Sequence, residues 1–358
     1  MWRSVCRPAA AIVPLVMVAR SPTRCSAASA ADADGAPDRQ KFYASRCVIP
    51  TEFTPYKLKR IEPYNHDTSI FTFELQPGQG LGLPTCGCLL IKAPGCEHGG
   101  GDAIRAYTPI SKEDRPGSFQ MLIKRYAEWG EKPSEFNGSA LHASYRPAGA
   151  VSNFLHTRKP GDPVLFAHRS QNLKIQYPFP AKQVLMICVG AGIAPMLQAL
   201  EQILENENDR TKVTLLYGNR SVRDILMKEK LDAWSMQHPD RLKVVFAVGS
   251  RWANVHVGVK RRVKKEGYGT TIDALSRPPV PEDWDDLELK GNQAKEVGWV
   301  DLETIRKHGF PPGSNTKVFV CGLPGVYEKL CGARGDPMVL EGTALAKLGF
   351  DHRHVVKF

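Results

Sequence analysis

The stretch VLMICVGAGIAPMLQAL, from Val184 to Leu200, decides the fold of the second half of the chain. Its apolar start, Val184 to Val189, predicts a buried parallel strand that ends at Gly190-Ala191-Gly192. Apolar residues then recur at helical spacing, and Pro195 falls in the first turn of the predicted helix. Such a unit points free backbone N–H groups and the positive end of a helix dipole at one place. It therefore predicts either a phosphate-binding turn for a nucleotide or a purely structural turn.

Strand-like and helical segments alternate after Val184, which is typical of a parallel α/β sheet. The further strand-like runs are Val213–Tyr217, Leu242–Val248 and Val318–Cys321. Residues Arg251 to about Glu296 interrupt this alternation, because they are basic at first, then rich in proline and acidic residues. Their low apolar content predicts a surface insertion, which is either a solvated loop or an arm that docks a partner.

Short strand-like runs separated by Pro-Gly turns fill the first half of the chain. The runs are Ile70–Leu75, Cys88–Ile91 and Phe119–Ile123. Several short strands at this spacing predict an antiparallel barrel or sandwich. With 358 residues the chain is long enough for two domains. We expect an antiparallel β-barrel domain over residues 41–179 and a parallel-sheet α/β domain over residues 180–358.

Residues 1–40 predict a targeting segment rather than part of a domain. The part before Asp32 contains four arginines, many alanines and serines, and no acidic residue. This composition is typical of a mitochondrial transit peptide, with a secretory signal or a short membrane anchor as the alternatives. The apolar part is too short to span a bilayer and contains Pro14. We therefore expect a mitochondrial location and no transmembrane span, with peripheral membrane association left open.

The net charge of +11 suits acidic proteins, anionic lipids or nucleic acids. No nucleic-acid-binding motif accompanies it, so the sequence favours a solvated basic face and no nucleic-acid partner. The nine cysteines show no zinc-finger spacing. The nearest candidate, Cys86-x-Cys88 with Cys96-x-His98, fits no common structural zinc pattern, so we predict no metal site.

Chemistry-bearing side chains collect at the end of a predicted strand, in Arg105-Ala106-Tyr107-Thr108. An arginine fork suits a pyrophosphate, because it binds two oxygens at once, and a neighbouring aromatic ring packs against a ring system. Further along the chain, Lys124 and Tyr126 precede a segment in which Ser152 resembles a helix N-cap. The N–H groups behind such a cap form a second possible phosphate site. Each feature alone also fits a structural strand end or cap.

Taken in order, these segments resemble the NADH-cytochrome b5 reductase family, within the ferredoxin-NADP reductase superfamily. The resemblance runs from about Arg46 to Phe358, apart from the insertions. The segments that carry it are HDTSIFTFEL (His66–Leu75), LGLP (Leu81–Pro84), RAYTPIS (Arg105–Ser111), IKRY (Ile123–Tyr126), GAVSNFL (Gly149–Leu155), VGAGIAPMLQ (Val189–Gln198), GNRSVRDIL (Gly218–Leu226), GWVDLETIRKH (Gly298–His308), CGLP (Cys321–Pro324) and the terminal Phe358.

The resemblance implies an FAD-binding antiparallel barrel followed by an NAD(P)-binding α/β domain, with the reaction in the cleft between them. It implies these positions: Arg105 and Ser152 at the FAD pyrophosphate, Tyr107 against the flavin, Thr108 near its reactive nitrogen, Lys124 and Tyr126 at the flavin edge, Gly190 and Gly192 at the nicotinamide nucleotide, and Cys321 near the nicotinamide ring. Gly149, Val151, Pro195 and Phe358 complete the predicted cofactor-binding set, with Thr108 and Cys321 as the catalytic residues.

Several positions depart from the family pattern. The usual turn G-G-T-G-I-T-P-M reads V-G-A-G-I-A-P-M here, so Ala191 and Ala194 lack two hydroxyls that would bond a ligand. An insertion of about residues 127–146 lies beside the predicted flavin-binding elements. Arg220 and Arg223 follow a predicted strand where a basic side chain meets a 2′-phosphate, so NADPH stays open beside NADH.

The sequence thus predicts an FAD-dependent oxidoreductase that takes a hydride from NADH and passes electrons singly to a haem protein such as cytochrome b5. The alternative is a catalytically weakened, reductase-like subunit with a structural or assembly role in a mitochondrial complex. The altered glycine turn and the insertions favour the alternative. The enzyme is favoured by the retained residues Arg105, Tyr107, Thr108, Ser152, Gly190, Gly192 and Cys321.

Overall fold

The structure, a computed structural model, describes residues 46–128, 147–169, 174–249 and 280–358. The predicted targeting segment, most of the predicted insertion at residues 127–146 and residues 251–279 of the predicted second insertion lie outside the described residues. None of the helices in the described ranges is long and apolar enough to cross a membrane.

Six antiparallel strands form the sheet of the first lobe, which we define as the described residues from 46 to 169. They are β1 (Thr54–Pro63), β2 (Thr68–Glu74), β3 (Leu89–Ala93), β4 (Ala103–Tyr107), β5 (Ser118–Lys124) and β6 (Pro163–His168), in the spatial order β4-β3-β6-β1-β2-β5. The sheet curls so that the chain just after β4 meets β5, where Pro109 forms a bridge with Met121 and the N–H of Ile110 donates to the carbonyl of Gln120. This contact closes the barrel.

The core of the first lobe contains a group of phenylalanines from neighbouring strands, whose alternate residues point to the inside. Phe73 stacks on Phe119 with ring centroids 5.3 Å apart, and Phe166 meets Phe73 edge to face at 4.7 Å. Helix α1 (Ala150–His156) packs against β3 and β4 and buries Val151 and Leu155 in this core. The helix thereby fixes the polypeptide that precedes it beside the end of β4.

A six-stranded parallel sheet forms the second lobe, which we define as the described residues from 174 onward. Its strands are β7 (Gln183–Val189), β8 (Lys212–Asn219), β9 (Leu242–Val248), β10 (Gln293–Val297), β11 (Thr316–Cys321) and β12 (Val355–Lys357), in the order β10-β9-β8-β7-β11-β12. Its helices are α2 (Ile193–Glu205), α3 (Lys228–Gln237), α4 (Leu302–His308), α5 (Pro324–Leu330) and α6 (Ala344–Lys347). The inner strands are almost fully buried, as expected for a sheet covered on both faces.

The strand order reverses between β7 and β11. From β7 the chain proceeds outward through β8, β9 and β10, and it then returns to the other side of β7. Cys188 of β7 is in register with Cys321 of β11, so both strands end at the same level. Such a reversal opens a crevice at the carboxyl ends of the strands, where parallel α/β sheets bind ligands.

The two sheets confirm the predicted fold class, an antiparallel β-barrel followed by a parallel α/β sheet. The prediction of a surface insertion from Arg251 to Glu296 is wrong at its C-terminal end. Gln293–Val297 form β10, which pairs with β9 at the edge of the sheet, and Leu287 is buried. The sequence QAKEV of β10 is polar and was therefore interpreted as a loop. An edge strand tolerates such polar side chains because it has a neighbouring strand on one side only.

Many direct contacts join the two lobes. The side-chain amide of Gln198 accepts from the N–H of Cys86 at 2.7 Å and donates to the carbonyl of Pro109 at 2.8 Å. The phenol of Tyr64 accepts from the N–H of Met227, and Leu122 of β5 joins the hydrophobic core of the second lobe. The lobes therefore belong to one compact unit, with residues Gly190–Gly192, directly after β7, beside β5.

Candidate active site

The end of β4 presents the predicted arginine and phenol. The guanidinium of Arg105 is half exposed, lies 3.0 Å from a carboxylate oxygen of Glu97 and donates to the carbonyl of Ile104. Burial raises the pKa of the Tyr107 phenol, and the nearby phenol of Tyr126 adds to this rise. Thr108 follows at the partly buried point where the chain leaves the strand. The structure thus places these residues at one edge of the barrel, with Arg105 already engaged by an acid.

Lys124 ends β5 and is 8% exposed. Its ammonium lies 2.6 Å from a carboxylate oxygen of Asp67 in the first lobe and 2.9 Å from one of Asp224 in the second. A buried ammonium between two carboxylates is stable only while both partners remain, because an unpaired buried charge is costly. Lys124 therefore acts as a bridge across the lobes beside the predicted flavin edge.

The carboxylates around this lysine form part of what we call the bridging cluster: His66, Asp67, Lys124, Arg220 and Asp224. Burial alone would raise the pKa of Asp224, but hydrogen bonds from Ser221 and Lys124 and the nearby positive charges hold it at about 2. The ring of His66 lies 3.5 Å from Asp67 and 3.7 Å from Asp224. The imidazole and the two carboxylates have the spacing of metal ligands, but the Lys124 ammonium already pairs with both acids.

Sequence reasoning missed Asp67 and Asp224. Both lie inside segments that carry the resemblance, yet 57 and 100 residues separate them from Lys124. A contact across such a separation has no periodic signal in a single sequence. The available hint was a lone lysine at the end of an otherwise apolar strand, since such a lysine needs a carboxylate partner when it is buried.

Helix α1 corrects one prediction. Ser152 is not the N-cap, because the helix begins after Gly149 and Ser152 lies within its first turn. The buried Ser152 hydroxyl donates to the carbonyl of Gly149 and accepts from the N–H of Tyr126 at 3.3 Å. A glycine is needed at 149, because a Cβ there would lie 2.6 Å from that hydroxyl. Val151 points into the core of the barrel and packs there.

The glycine turn at the end of β7 forms one turn of 3₁₀ helix, Gly190–Gly192, and helix α2 follows directly. Gly190 has a φ of +53°, a conformation that favours glycine, and a Cβ there would meet open space. Gly192 is required for packing, because a Cβ would lie 2.5 Å from the carbonyl oxygen of Cys321. Pro195 lies buried in the first turn of α2, as predicted. The turn therefore offers an open backbone surface at Gly190 and a close contact with β11 at Gly192.

Cys321 ends β11 next to this turn. Burial raises the pKa of its thiol, although a hydrogen bond with Tyr327 and the charge of Arg334 oppose that rise, so the thiol stays protonated at neutral pH. The phenol of Tyr327 donates to the backbone oxygen of Phe358, the last residue of the chain. The Phe358 ring packs edge to face on Phe319 at 5.4 Å. The C-terminal residue is thus tied to the helix that follows Cys321.

Electrostatic coupling shows which predicted residues the structure brings together. Burial raises the pKa of the Tyr126 phenol to about 12, and Asp67 of the bridging cluster and the Cys321 thiol of the second lobe add to the rise. Tyr107, Tyr126 and Cys321 therefore lie around one cleft, beside the glycine turn. The side chains of Val151 and Phe358 are packed in the cores of the first and second lobes, and Tyr107 and Cys321 pack against the same two cores.

Comparisons with known proteins identify both lobes. Residues 55–172 match the model of the oxidoreductase FAD-binding domain, and residues 186–275 match that of the oxidoreductase NAD-binding domain. NADH-cytochrome b5 reductase 2 of Lodderomyces elongisporus is 31% identical over 306 residues, which cover 84% of this chain and 82% of that protein. The chain belongs to the NADH-cytochrome b5 reductase family.

Other members and neighbours agree with this assignment. An NADH-cytochrome b5 reductase-like protein of Arabidopsis thaliana is 30% identical, with 86% of this chain and 77% of that protein covered. The cytochrome b5 reductase domain of Ulva prolifera nitrate reductase shares the fold, with a TM-score of 0.61 and 24% identity over 86% of this chain and 98% of that one. The predictions of an oxidoreductase, of FAD and of NADH are confirmed. Nothing in these comparisons supports the alternative of a structural or assembly subunit.

The donor groups of the first lobe fit an FAD molecule. Arg105 supplies a cationic fork, and no side chain caps the first turn of α1, so its leading N–H groups have no intrahelical partner. His98 brings Arg105 close to the start of α1. Its ring lies 3.2 Å from the carbonyl of Ala148, just before that helix, and its chain neighbour Glu97 binds Arg105. In a b5 reductase fold these groups suit the phosphates, and Tyr107 and Tyr126 suit the ring system.

Proposed function

We propose that this chain takes a hydride from NADH and passes the electrons singly to a cytochrome b5-like haem protein. The observation that carries the proposal is the close packing of Gly192 on Cys321 at the reversal of strand order, directly beside β5 and Tyr126. FAD, when bound in the first lobe, would supply the chemistry that joins a two-electron hydride donor to one-electron haem acceptors.

The residues of the cleft act by placement. Arg105 and Ser152 would hold the FAD pyrophosphate, Tyr107 would lie against the ring, and Thr108 would bond near its reactive nitrogen. Gly190 leaves room for the nicotinamide nucleotide, because its Cβ position is open. Holding both partners in line replaces a bimolecular encounter by a bound one, which is the main contribution that a protein makes to such a step.

Neutral groups line the cleft on the side of the reaction. Burial raises the pKa values of Tyr107, Tyr126 and Cys321, so the two phenols and the thiol stay protonated at neutral pH. No proton has to be moved by a side chain when a hydride passes directly between two rings. Cys321 would therefore meet the nicotinamide ring as a neutral thiol and would not act as a nucleophile, because the thiolate is the nucleophilic form.

The flavin assignment is tested by removing the cationic fork. We expect Arg105→Ala to lose FAD during dialysis, whereas Arg60→Ala, which removes an exposed arginine paired with Glu62 in the same lobe, keeps it. The ratio of bound flavin to protein gives the result. Equal flavin retention in both variants would remove Arg105 from the FAD site.

The acceptor is tested by comparing two oxidants. We expect the purified flavoprotein to reduce both ferricyanide and ferric cytochrome b5 with NADH, and the second reaction to slow as salt screens the attraction between the basic surface and an acidic partner. Rapid ferricyanide reduction without reduction of cytochrome b5 would contradict the proposed acceptor and leave the NADH reaction intact.

The proposed location is the mitochondrion, which rests on the composition of residues 1–40. We expect these residues to carry a fused fluorescent reporter into mitochondria. A matched fusion with Arg3, Arg7, Arg20 and Arg24 replaced by Gln should remain in the cytosol. A cytosolic signal from the unaltered fusion would refute the location.

A further inference from the structure

A short loop near the C-terminus, residues 333–338, presents the guanidinium of Arg334 beside the cleft. Arg334 lines a cavity of about 150 Å³ together with Gly322, Pro324 and Tyr327. No carboxylate lies within ion-pair distance of Arg334 among residues 46–128, 147–169, 174–249 and 280–358. Glu328 also lines the cavity, but it forms no ion pair with Arg334. The cavity therefore holds a positive charge that is free to meet an anion.

A buried lysine holds this loop in place. The ammonium of Lys357 donates to the carbonyl oxygens of Ala333, Asp336 and Met338 at 3.0, 2.8 and 2.7 Å. All three of its N–H groups are thus used, and the residue is 6% exposed. Burying an ammonium is costly unless it is fully hydrogen-bonded, so this arrangement fixes the loop strongly. Arg334 is consequently presented by a rigid segment although its own side chain is exposed.

The charge of Arg334 reaches groups on both sides of the cleft. Burial raises the pKa of the Cys88 thiol in the first lobe to about 11, and the charge of Arg334 opposes this rise. The same charge opposes the rise in pKa at Cys321 and Tyr327 in the second lobe. Arg334 therefore lies near the place where the lobes meet.

The cavity also adjoins the glycine turn. A Cβ on Gly192 would lie 2.5 Å from the carbonyl oxygen of Cys321 and 3.2 Å from the backbone nitrogen of Gly322, which itself lines the cavity. The cavity therefore lies beside the glycine turn, on which the nicotinamide nucleotide is proposed to bind. An arginine fork binds two phosphate oxygens at once.

We propose that Arg334 binds the pyrophosphate of the nicotinamide dinucleotide and that Lys357 positions it by fixing the loop. The inference rests on the proposed function and adds a phosphate-binding residue to the site. Arg334 would also give the dinucleotide a polar contact from the C-terminal segment, beside a glycine turn in which Ala191 and Ala194 provide no hydroxyl.

The test uses the FAD-loaded, full-length protein and the variant Arg334→Met, which keeps most of the length of the side chain and removes the charge. Equilibrium binding of NAD⁺ and rapid anaerobic reduction by NADH give the dissociation constants and the limiting rate. We expect the dissociation constants to rise about 10- to 100-fold, the range for a hydrogen bond to a charged group, with an unchanged limiting rate and flavin content. Arg353→Met is the control, because Arg353 is exposed and already paired with Asp351.

A comparison of NADH with NADPH shows whether Arg334 binds the pyrophosphate or a 2′-phosphate. Because both dinucleotides carry the pyrophosphate, we expect Arg334→Met to weaken NADH and NADPH binding by the same factor. A loss confined to NADPH would assign Arg334 to the 2′-phosphate and overturn the proposal, as would unchanged binding of both.

Lys357→Met tests the positioning role. We expect it to raise the NADH dissociation constant less than Arg334→Met does, with the limiting rate unchanged. In the double variant the loss should equal that of Arg334→Met alone, because Lys357 acts through Arg334. Additive losses would contradict the positioning role.

Different results would contradict the proposed function and the role of Arg334. If the unaltered protein binds no pyridine nucleotide, the proposed function fails and this inference fails with it. If the unaltered protein binds NAD⁺ and Arg334→Met binds it equally well, only this inference fails.

Discussion

Two lysines of the first lobe each reach a carboxylate of the second lobe, in different surroundings. Nζ of Lys124 lies 2.9 Å from Oδ1 of Asp224, and Nζ of Lys112 lies 2.8 Å from Oε2 of Glu205. The side chains of the first pair are 9% and 8% exposed, whereas those of the second are 53% and 50% exposed. The two distances are nearly equal, but the first pair is shielded from water and the second is surrounded by it.

Distance alone therefore does not show how much each contact between the lobes contributes to stability. An exposed pair gains little, because water and salt screen it and two long side chains must be ordered. Breaking a buried pair leaves an uncompensated charge in a poorly solvated place. We therefore expect the lobes to be held together mainly at the bridging cluster, which also adjoins the candidate active site.

Removing the buried lysine should have the largest effect. Lys124→Met leaves Asp67 and Asp224 without their shared cation, so we expect the free energy of unfolding to fall by about 3–5 kcal/mol. Urea denaturation of the FAD-loaded protein at neutral pH measures the change. A loss below about 1 kcal/mol would make the buried pair equivalent to an exposed one and break the comparison.

Removing the acid of the buried pair should have the next largest effect. Asp224→Asn keeps the shape but removes the charge beside Lys124, and we expect a loss of about 1.5–3 kcal/mol at neutral pH. Because the folded protein holds the pKa of Asp224 at about 2, below the ordinary value of 3.8, its charge stabilises the fold above about pH 4. The difference between the unaltered protein and the variant should shrink as the pH falls from about 4 to about 2. A difference that stays constant over this range would contradict the assignment.

The hydrogen bonds of Gln198 join the lobes without any charged group, so they can be compared with the two ion pairs. Gln198→Ala leaves the N–H of Cys86 and the carbonyl of Pro109 without their partner across the lobes. We expect a loss of about 1–3 kcal/mol, and we expect added salt to leave the loss unchanged because no ion pair is involved. A loss that salt abolishes would show that the contact is not a neutral hydrogen bond.

The exposed lysine should have the smallest effect and serves as the matched control for Lys124→Met. Lys112→Met is expected to lower the free energy of unfolding by about 0–1 kcal/mol, with any loss disappearing at high salt. Urea denaturation at low and high ionic strength measures it. A loss as large as that of Lys124→Met would contradict the ranking by burial.

The sequence predicted best those parts of the fold that have a local signal. The apolar runs at β7, β8, β9 and β11 are central strands of a covered sheet, so they were recognisable without any partner. Strand β10 was missed because QAKEV lies at the edge of the sheet, and β12 because its three residues are too few to show a period. Both strands depend on pairing with distant neighbours.

The candidate site shows the same division. The glycine turn, Arg105 and Lys124 were recognisable from local patterns, and the family resemblance added Cys321, since each lies in a short recognisable segment. The partners of Lys124 were missed because they are 57 and 100 residues away. The N-cap of α1 was misplaced, because the Ser152 hydroxyl bonds within the first turn and to Tyr126 rather than capping the helix.

Hydride transfer between the two lobes can be followed by an anaerobic titration of the purified yellow protein with NADH, monitored by the visible absorbance of its flavin. If a dihydropyridine held at the ends of β7 and β11 meets a flavin held by the barrel, one equivalent of NADH bleaches the colour and admission of an oxidant restores it. A flavin that stays oxidised with excess NADH, yet is bleached by dithionite, would contradict the account.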